Sequence, residues 1–316
     1  MSIQPIKRAQ IIYLSENLLV KAGVILLCCV CGVFVARSQD TAGIGNLRIL
    51  SHEEFRDMGI TNPKKVDRRP IILKFRHTSG GELLYYGSSH TFEPSSKIIK
   101  NIISHWYDFE PEIAFWEGGN PDKQNILSGS FDQIIREKGE AGLVQYLANK
   151  NNVENKTLEP SAWVIISNLR DKFSDPEILI NGILTQTEQA RRTGKSVTQL
   201  DSIVSIGMKK AHSAGFENIP SNIAEFSSLV SKLLPGVNNW HEVTLNMVSP
   251  KPLNDPNTTF LQKISTESSA IRDRHMLTVL LNEVKKGRKV FVVVGASHVI
   301  MQEPGLAEFF KKTYKP

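Results

Sequence analysis

Two segments far apart in the chain share one short pattern. Residues 83–92 read LLYYGSSHTF and residues 290–299 read VFVVVGASHV, so in both an apolar run ends in Gly-x-Ser-His. An uninterrupted apolar run of this length is typical of a strand buried on both faces, as in the parallel sheet of an α/β protein. The carboxyl ends of parallel strands form the edge at which ligands bind. The pattern therefore predicts that His90 and His298 lie at one functional edge.

The residues around each histidine indicate how its imidazole is oriented at the end of the strand. Each glycine is expected to turn the backbone sharply with a positive φ, and the next serine to cap a helix, so that the imidazole points into a crevice. A third apolar segment, 112–119 (EIAFWEGG), contains Glu117 in the same place. Two imidazoles and a carboxylate that converge on a cleft can form a divalent-metal site or a general acid–base centre. A hydrogen-bonded structural role is the alternative for each residue taken alone.

Strand and helix patterns alternate along the rest of the chain. The predicted strands are 70–76, 82–86, 112–119 and 289–294, with extended structure near Thr157. The predicted helices are about 95–105, 124–138, 140–150 and most of 160–286. The alternation predicts a single α/β domain over 39–316, with a mainly parallel central sheet flanked by helices and a helical insertion at about 170–255.

The N-terminal segment 1–38 has the features of a targeting segment. Residues 22–36 (AGVILLCCVCGVFVA) are uncharged and almost wholly apolar, and basic residues precede them. This pattern predicts a signal peptide cleaved after Ser38, or a signal anchor that stays in the membrane through residues 18–36. In both cases the remaining chain is expected to be extracytoplasmic, either periplasmic or secreted.

Cysteine usage and charge exclude several classes of function. All three cysteines, Cys28, Cys29 and Cys31, lie in the apolar N-terminal segment, so residues 39–316 have no thiol for disulfides, catalysis or metal binding. Any metal ion must be held by histidine and carboxylate. The basic runs 64–69 and 285–289 lack interleaved aromatic residues, and we expect no nucleic-acid partner.

A helical pattern directly precedes the second Gly-x-Ser-His segment. Its apolar stripe comprises Ile271, Met276, Val279, Leu280 and Val284. Arg272 stands near the start of this stripe, and it is either a solvated residue or a group that orients a carboxylate or binds an anionic oxygen beside His298. Glu159 precedes Pro160, a residue that suits the first position of a helix.

Taken in order, these motifs resemble the TraB, Tiki, ChaN and erythromycin-esterase group. The motifs are Gly87-Ser-Ser-His90, Glu117, Glu159-Pro160, Arg272-Asp-x-x-Met276 and Gly295-Ala-Ser-His298, and the similarity spans about 70–300. The resemblance implies an α/β core and a central site of His90, Glu117 and His298, supported by Arg272 and Glu159. Tiki-like members are metal-dependent proteases, esterase-like members hydrolyse lactones, and ChaN-like members bind haem.

Two functions are therefore expected as alternatives. The first is an exported hydrolase, protease-like or esterase-like, that cleaves a peptide or a small-molecule ester. Its histidines and glutamates would activate water through a divalent metal ion (manganese, cobalt or zinc, held by His90, Glu117 and His298) or by direct general-base action, and Arg272 would stabilise the oxyanion. The second is a non-enzymatic haem- or iron-binding protein of the ChaN type, in which a histidine would ligate haem iron.

Overall fold

A five-stranded mixed sheet lies at the centre of the part of the chain that the structure describes. The computed structural model describes residues 44–313, except residues 45, 56, 58–69, 120, 122–126, 193, 252 and 254–255. The strands are β1 (Ile71–Arg76), β2 (Glu82–Ser88), β3 (Ile113–Trp116), β4 (Glu154–Thr157) and β5 (Lys289–Gly295). Their order is β1-β2-β5-β3-β4, with β1 antiparallel to β2 and the other pairs parallel. The predicted α/β fold with a mainly parallel sheet is confirmed.

Helices connect most of the strands, although β1 and β2 are joined by a short turn. They are α1 (His52–Phe55), α2 (Lys97–Phe109), α3 (Phe131–Lys150), α4 (Ala162–Leu169), α5 (Asp175–Arg192), α6 (Val197–Ser213), α7 (Ile223–Leu233), α8 (Leu245–Val248), α9 (Phe260–Lys285) and α10 (Ala296–Thr313). Side chains that bond a backbone N–H three residues on cap several of these helices, namely Ser96, Ser130, Ser161, Ser196, Asn222 and Thr259. Such caps satisfy N–H groups that a helix start would otherwise leave unpaired, and they set where each helix begins.

Helix α3 is interrupted at Gly139, where the backbone has φ 57° and ψ −142°. The sequence predicts this break, because one helical pattern ends at residue 138 and the next starts at 140. The predicted start at 124 differs from the structure, in which the helix begins at Phe131 after its cap Ser130. Residues 122–126 lie outside the described residues.

Alternate side chains of the strands pack on opposite faces of the sheet. On one face, strand residues such as Tyr85 and Val292 lie in a core with the apolar stripes of α9 and α10. On the other face, residues such as Tyr86 and Phe291 pack against α2 and α3. Both faces are covered, which explains why β2 and β5 are continuous apolar runs rather than alternating ones.

A third group of buried side chains lies away from the sheet. It joins apolar residues of α4 to α8 with the first turns of α9, from Leu169 to Ile264. The predicted helical insertion at about 170–255 falls within this group. The strand-end residues thus belong to a sheet with two cores of its own, while the insertion packs around a separate one.

The N-terminal prediction falls outside the part of the chain that the structure describes. Residues 1–43, which include the predicted signal peptide or anchor and all three cysteines, are not among the described residues. Within the described residues, no helix is both long enough and apolar enough to cross a bilayer.

Candidate active site

The carboxyl ends of four neighbouring strands carry the predicted residues. In the pairing of β2 with β5, Ser88 lies opposite Gly295, so the two Gly-x-Ser-His segments leave the sheet side by side. On the other side of β5, Trp116 pairs with Val293, and Trp116 also pairs with Thr157 of β4. Glu117 and Glu159 therefore follow two adjacent strands at the same edge. His90, Glu117 and His298 lie there, as the strand-end pattern predicts, and Glu159, which the resemblance implies, lies there as well.

His298 is buried in the first turns of α10, between two carboxylates. Its Nδ1 lies 2.6 Å from Oδ1 of Asp273, and its Nε2 lies 3.2 Å from Oε1 of Glu117. Burial alone would lower the pKa of His298, but the hydrogen bonds to Asp273 and Glu117 outweigh burial and raise the pKa to about 9. At neutral pH His298 is therefore an imidazolium, and both ring nitrogens donate.

Asp273 continues this arrangement into the core. The residue is fully buried, and its Oδ1 also accepts a hydrogen bond from Nε2 of Gln302 at 2.7 Å. The hydroxyl of Tyr85 donates to Oε1 of Gln302 at 2.9 Å. These contacts fix the Asp273 carboxylate, and through it the orientation of the His298 ring.

Glu117 is held on both of its oxygens. Its Oε2 accepts the backbone N–H of Gly295 at 2.7 Å, while Oε1 faces both His298 and Nη2 of Arg272, the latter at 3.4 Å. Burial would raise the pKa of Glu117, but these donors and the neighbouring positive charges hold it well below its usual range. The group is a fixed carboxylate at neutral pH.

Arg272 and Glu159 form a two-pronged pair beside Glu117. Nε and Nη2 of Arg272 lie 2.8 and 2.6 Å from the two oxygens of Glu159, and Gly118 N–H donates to Glu159 at 3.0 Å. Burial alone would lower the pKa of Arg272, but Glu159 and Glu117 raise it above its ordinary value. The predicted role of Arg272 in orienting a carboxylate is thus present in the structure, and Glu159 does more than precede a helix.

His90 differs from His298 in its exposure. It lies two residues beyond the end of β2 with a left-handed backbone, φ 54°, and 61% of its side chain is exposed. Its Nδ1 lies 3.7 Å from Oε2 of Glu140, which is an ion-pair distance rather than a hydrogen bond. Glu140 raises the pKa of His90 above its ordinary value, against the effect of burial.

The expected roles of the glycines and serines in the two motifs are wrong. Gly87 is the last residue but one of β2 and Gly295 is the last residue of β5, and neither has a positive φ; it is His90 that adopts the left-handed conformation. The glycines are required for space: a Cβ on Gly87 would meet Cα of Ala296 at 3.0 Å, and a Cβ on Gly295 would meet Nε2 of His90 at 3.0 Å and Oε2 of Glu117 at 3.1 Å. Ser88 caps no helix, since its hydroxyl accepts from the N–H of His90 in the loop after β2 and Ser96 caps the next helix, while Ser297 lies inside α10.

Sequence reasoning missed two carboxylates, Asp273 and Glu140. Asp273 falls in line with the buried residues Met276, Leu277 and Leu280 of α9, and a charged residue in an apolar stripe is a sign of a buried polar pair. Glu140 directly follows the predicted helix break at Gly139. It is buried, and it accepts from the Ser88 hydroxyl and from the N–H of Thr91, the latter at 2.7 Å.

The arrangement of His90, Glu117 and His298 does not fit a metal ion. Among the described residues, no three His, Cys, Asp or Glu side chains are grouped as metal ligands would be. The chemistry of the donors gives the reason. A metal ligand must turn a lone pair toward the ion, whereas Nδ1 of His298 lies 2.6 Å from Asp273 and Nε2 lies 3.2 Å from Glu117, so carboxylates already occupy both nitrogens. Arg272 adds a fixed positive charge beside Glu117, which opposes a cation at the same place.

A separate cleft of about 620 Å³ lies between α6 and α7, in the helical insertion. Its lining includes Ser205, Met208, Lys209, His212 and Ser221, and none of the strand-end residues borders it. It contains no imidazole–carboxylate pair comparable to those at the sheet edge. The imidazole–carboxylate contacts of His298 therefore belong to the sheet edge and not to this cleft.

Comparison with known proteins gives no relative to guide this assignment. No protein-family model matches the chain, and no curated protein or solved structure matches it significantly.

Proposed function

We propose that this protein is a hydrolase of ester or peptide bonds in which His90 is the general base that activates water. One observation carries the proposal: the exposed His90 ring faces a carboxylate that buried donors hold in place. Nε2 of His90 and Oε2 of Glu117 both lie close to Gly295, within 3.0 and 3.1 Å of the position that a Cβ would take there. A base and a fixed acceptor beside the same point are suited to hold and deprotonate a water molecule.

The reaction follows from the charges around this space. Neutral His90 accepts a proton from water, and the oxygen attacks the carbonyl carbon of the substrate. Negative charge then develops on the carbonyl oxygen. Arg272 supplies a permanent positive charge beside Glu117, and this charge stabilises the oxyanion. When the intermediate collapses, the imidazolium of His90 returns the proton to the leaving group.

His298 is not the base in this mechanism. It is buried and protonated at neutral pH, and it donates to Asp273 and Glu117. Its contribution is to keep Glu117 ionised and in place. The charge of His298 also offsets the two carboxylates, which lowers the cost of burying them.

The proposed substrate is a peptide or a small-molecule ester, and the proposed location is outside the cytoplasm. The apolar segment 22–36 behind basic residues supports the location. Haem binding through a histidine is the competing function. It has less support, because the carboxylates Glu117, Glu140 and Glu159 surround the strand ends, whereas a haem macrocycle needs a largely apolar wall.

A substrate panel tests the proposal. The full chain is assayed with aryl esters, lactones and peptides, with and without a chelator, and then with added manganese, cobalt or zinc. Turnover on one of these classes is expected, and it should survive the chelator. His90→Ala should lower kcat/KM by about 10²–10⁴-fold, the scale of a lost acid–base group.

His241→Ala is the matched control. His241 is another histidine near a carboxylate, 3.7 Å from Asp201, but it lies in the helical insertion. It should leave turnover unchanged. If the wild-type chain hydrolyses nothing and instead takes up haem in a His90-dependent manner, the binding function replaces the hydrolase. Turnover that appears only with added metal would contradict the metal-independent mechanism.

A further inference from the structure

Glu140 is a buried carboxylate on the opposite side of the His90 ring from Glu117. We propose that Glu140 is a positioning residue that holds the imidazole with Nδ1–H toward itself and the Nε2 lone pair toward the reaction site. This inference rests on the proposed function, because it assigns the group that prepares the proposed base. Charged groups face His90 from three elements: Glu140 on α3, Glu117 after β3, and His298 on α10.

The chain places Glu140 there by breaking a helix. At Gly139 the backbone leaves helical geometry with φ 57°, and a Cβ at this position would lie 2.8 Å from the carbonyl oxygen of Thr91. Only a glycine allows that close approach together with that conformation. The second half of α3 then starts at Glu140, directly against the loop that carries His90.

The hydrogen bonds of Glu140 connect it to the whole histidine loop. The Ser88 hydroxyl and the Thr91 N–H both donate to Oε1, and Oε2 is left to face His90 at 3.7 Å. Ser88 Oγ also accepts from the N–H of His90 at 3.2 Å. A buried carboxylate is costly without such donors, and Glu140 is only 5% exposed. One oxygen therefore fixes the loop, and the other lies in reach of the ring.

The placement of the ring gives Oε2 a chemical role. Nδ1 faces Glu140, while Nε2 lies at the opposite side beside Gly295 and Glu117. A carboxylate that accepts from Nδ1–H selects the tautomer in which Nε2 has the lone pair, and a base needs that lone pair. The 3.7 Å separation is long, and contacts of this kind shorten when substrate binds. Asp273 holds Nδ1 of His298 in the same way, at 2.6 Å.

The experiment compares Glu140→Gln with Asp201→Asn in the full chain. Glutamine keeps an acceptor for Ser88 and Thr91 but removes the charge that attracts Nδ1–H. We expect kcat to fall by roughly 10- to 100-fold with KM changed by less than about twofold, the effect of losing a group that orients a catalytic histidine. Asp201→Asn, the equivalent change at the His241 pair, should alter neither constant.

Nitrogen-15 NMR of the His90 ring provides a second readout that needs no turnover. In the wild type, the neutral ring should carry its proton on Nδ1, and in Glu140→Gln the population should move toward the Nε2–H tautomer. A wild-type ring found as Nε2–H would overturn the proposal, even if the variant failed to fold. So would an unchanged kcat together with an unchanged tautomer. A tautomer shift without turnover in any assay would refute the hydrolase alone and leave the role of Glu140 standing.

Discussion

His90 and His298 end the same four-residue pattern, yet 61% of one side chain is exposed and only 9% of the other. His298 lies between two carboxylates at 2.6 and 3.2 Å, whereas the carboxylate nearest Nδ1 of His90 is at 3.7 Å. The difference begins directly after the strands. β5 passes into α10 at Ala296, so His298 is turned under the first turns of a helix, while the chain after β2 has no regular structure before Lys97.

The comparison shows that the motif sets the position of a histidine but not its role. Both imidazoles reach the same edge because their strands are parallel neighbours. The segment after each strand decides whether water reaches the ring, and a ring that water reaches is free to accept a proton. We expect the buried histidine to matter for folding and the exposed one for turnover.

The substitution His298→Ala is expected to show most clearly that the buried histidine stabilises the fold while the exposed one serves turnover. Removing the imidazolium leaves Asp273 and Glu117 without their shared counter-charge, and breaking a buried pair of this kind costs about 3–5 kcal/mol. Urea unfolding followed by circular dichroism should show this loss in the free energy of unfolding. His90→Ala should change that free energy by less than about 1 kcal/mol, because an exposed side chain contributes little. Equal losses in the free energy of unfolding in the two variants would show that the two histidines do not differ in their contribution to stability.

The free energy of unfolding should also depend on pH in a way that reflects the titration of His298. Its pKa is about 9 in the folded protein, against 6.5 for an ordinary histidine. A group whose pKa rises on folding stabilises fully below the unfolded value, so this contribution is complete below about pH 6.5 and is lost as pH rises to about 9. The loss should reach about 3 kcal/mol at most, since each pKa unit is worth about 1.36 kcal/mol.

The measurement is the free energy of unfolding between about pH 6 and about pH 9.5 for wild type and His298→Ala. Glu117 stays ionised across this window, so it does not contribute to the slope. The variant should lack most of the wild-type decline. A wild-type protein as stable at the alkaline end of the window as at the acidic end would show that His298 is not protonated in the folded state.

A smaller effect is expected from Gly295→Ala, which acts on both histidine segments at once. The new methyl group would lie 3.0 Å from Nε2 of His90 and 3.1 Å from Oε2 of Glu117, so both must move by a few tenths of an ångström. We expect kcat/KM to fall by roughly tenfold, because catalytic groups tolerate displacements of about 0.5 Å at most. Gly182→Ala, within α5 and with open space around it, should leave turnover unchanged. Wild-type turnover in Gly295→Ala would show that the space over Gly295 is not where water is activated.

The sheet could be predicted because the apolar pattern that indicates each strand lies within the residues of that strand. Apolar runs of strand length, separated by helical patterns, identify β2, β3 and β5 and imply that their ends share an edge. Three of the predicted site residues, His90, Glu117 and His298, follow from that edge, and Arg272 follows from its position on the helix before β5, whereas Glu159 is implied only by the resemblance. The position of a residue along a strand or helix can be predicted from the spacing of residues in the sequence.

The pairings within the site could not be predicted in this way. Asp273 and Glu140 acquire their roles only when α9 and the second half of α3 pack against the sheet, and a sequence does not show which buried face meets which. The glycine assignments failed for a related reason. A glycine can be needed for its φ or for the space beside it, and only the neighbours in three dimensions distinguish the two, as at Gly295.

The strand order has a consequence for how the protein is made. β5 lies between β2 and β3, yet among the described strands it is the last to leave the ribosome, after all the described helices except α10. Until it emerges, β2 and β3 each present an unpaired edge, and such edges invite pairing with other chains. Contacts between segments this distant in sequence also form slowly. The nascent chain therefore depends on late insertion of β5, and a chain interrupted before residue 289 would leave these edges of β2 and β3 unpaired and would lack the His298 part of the site.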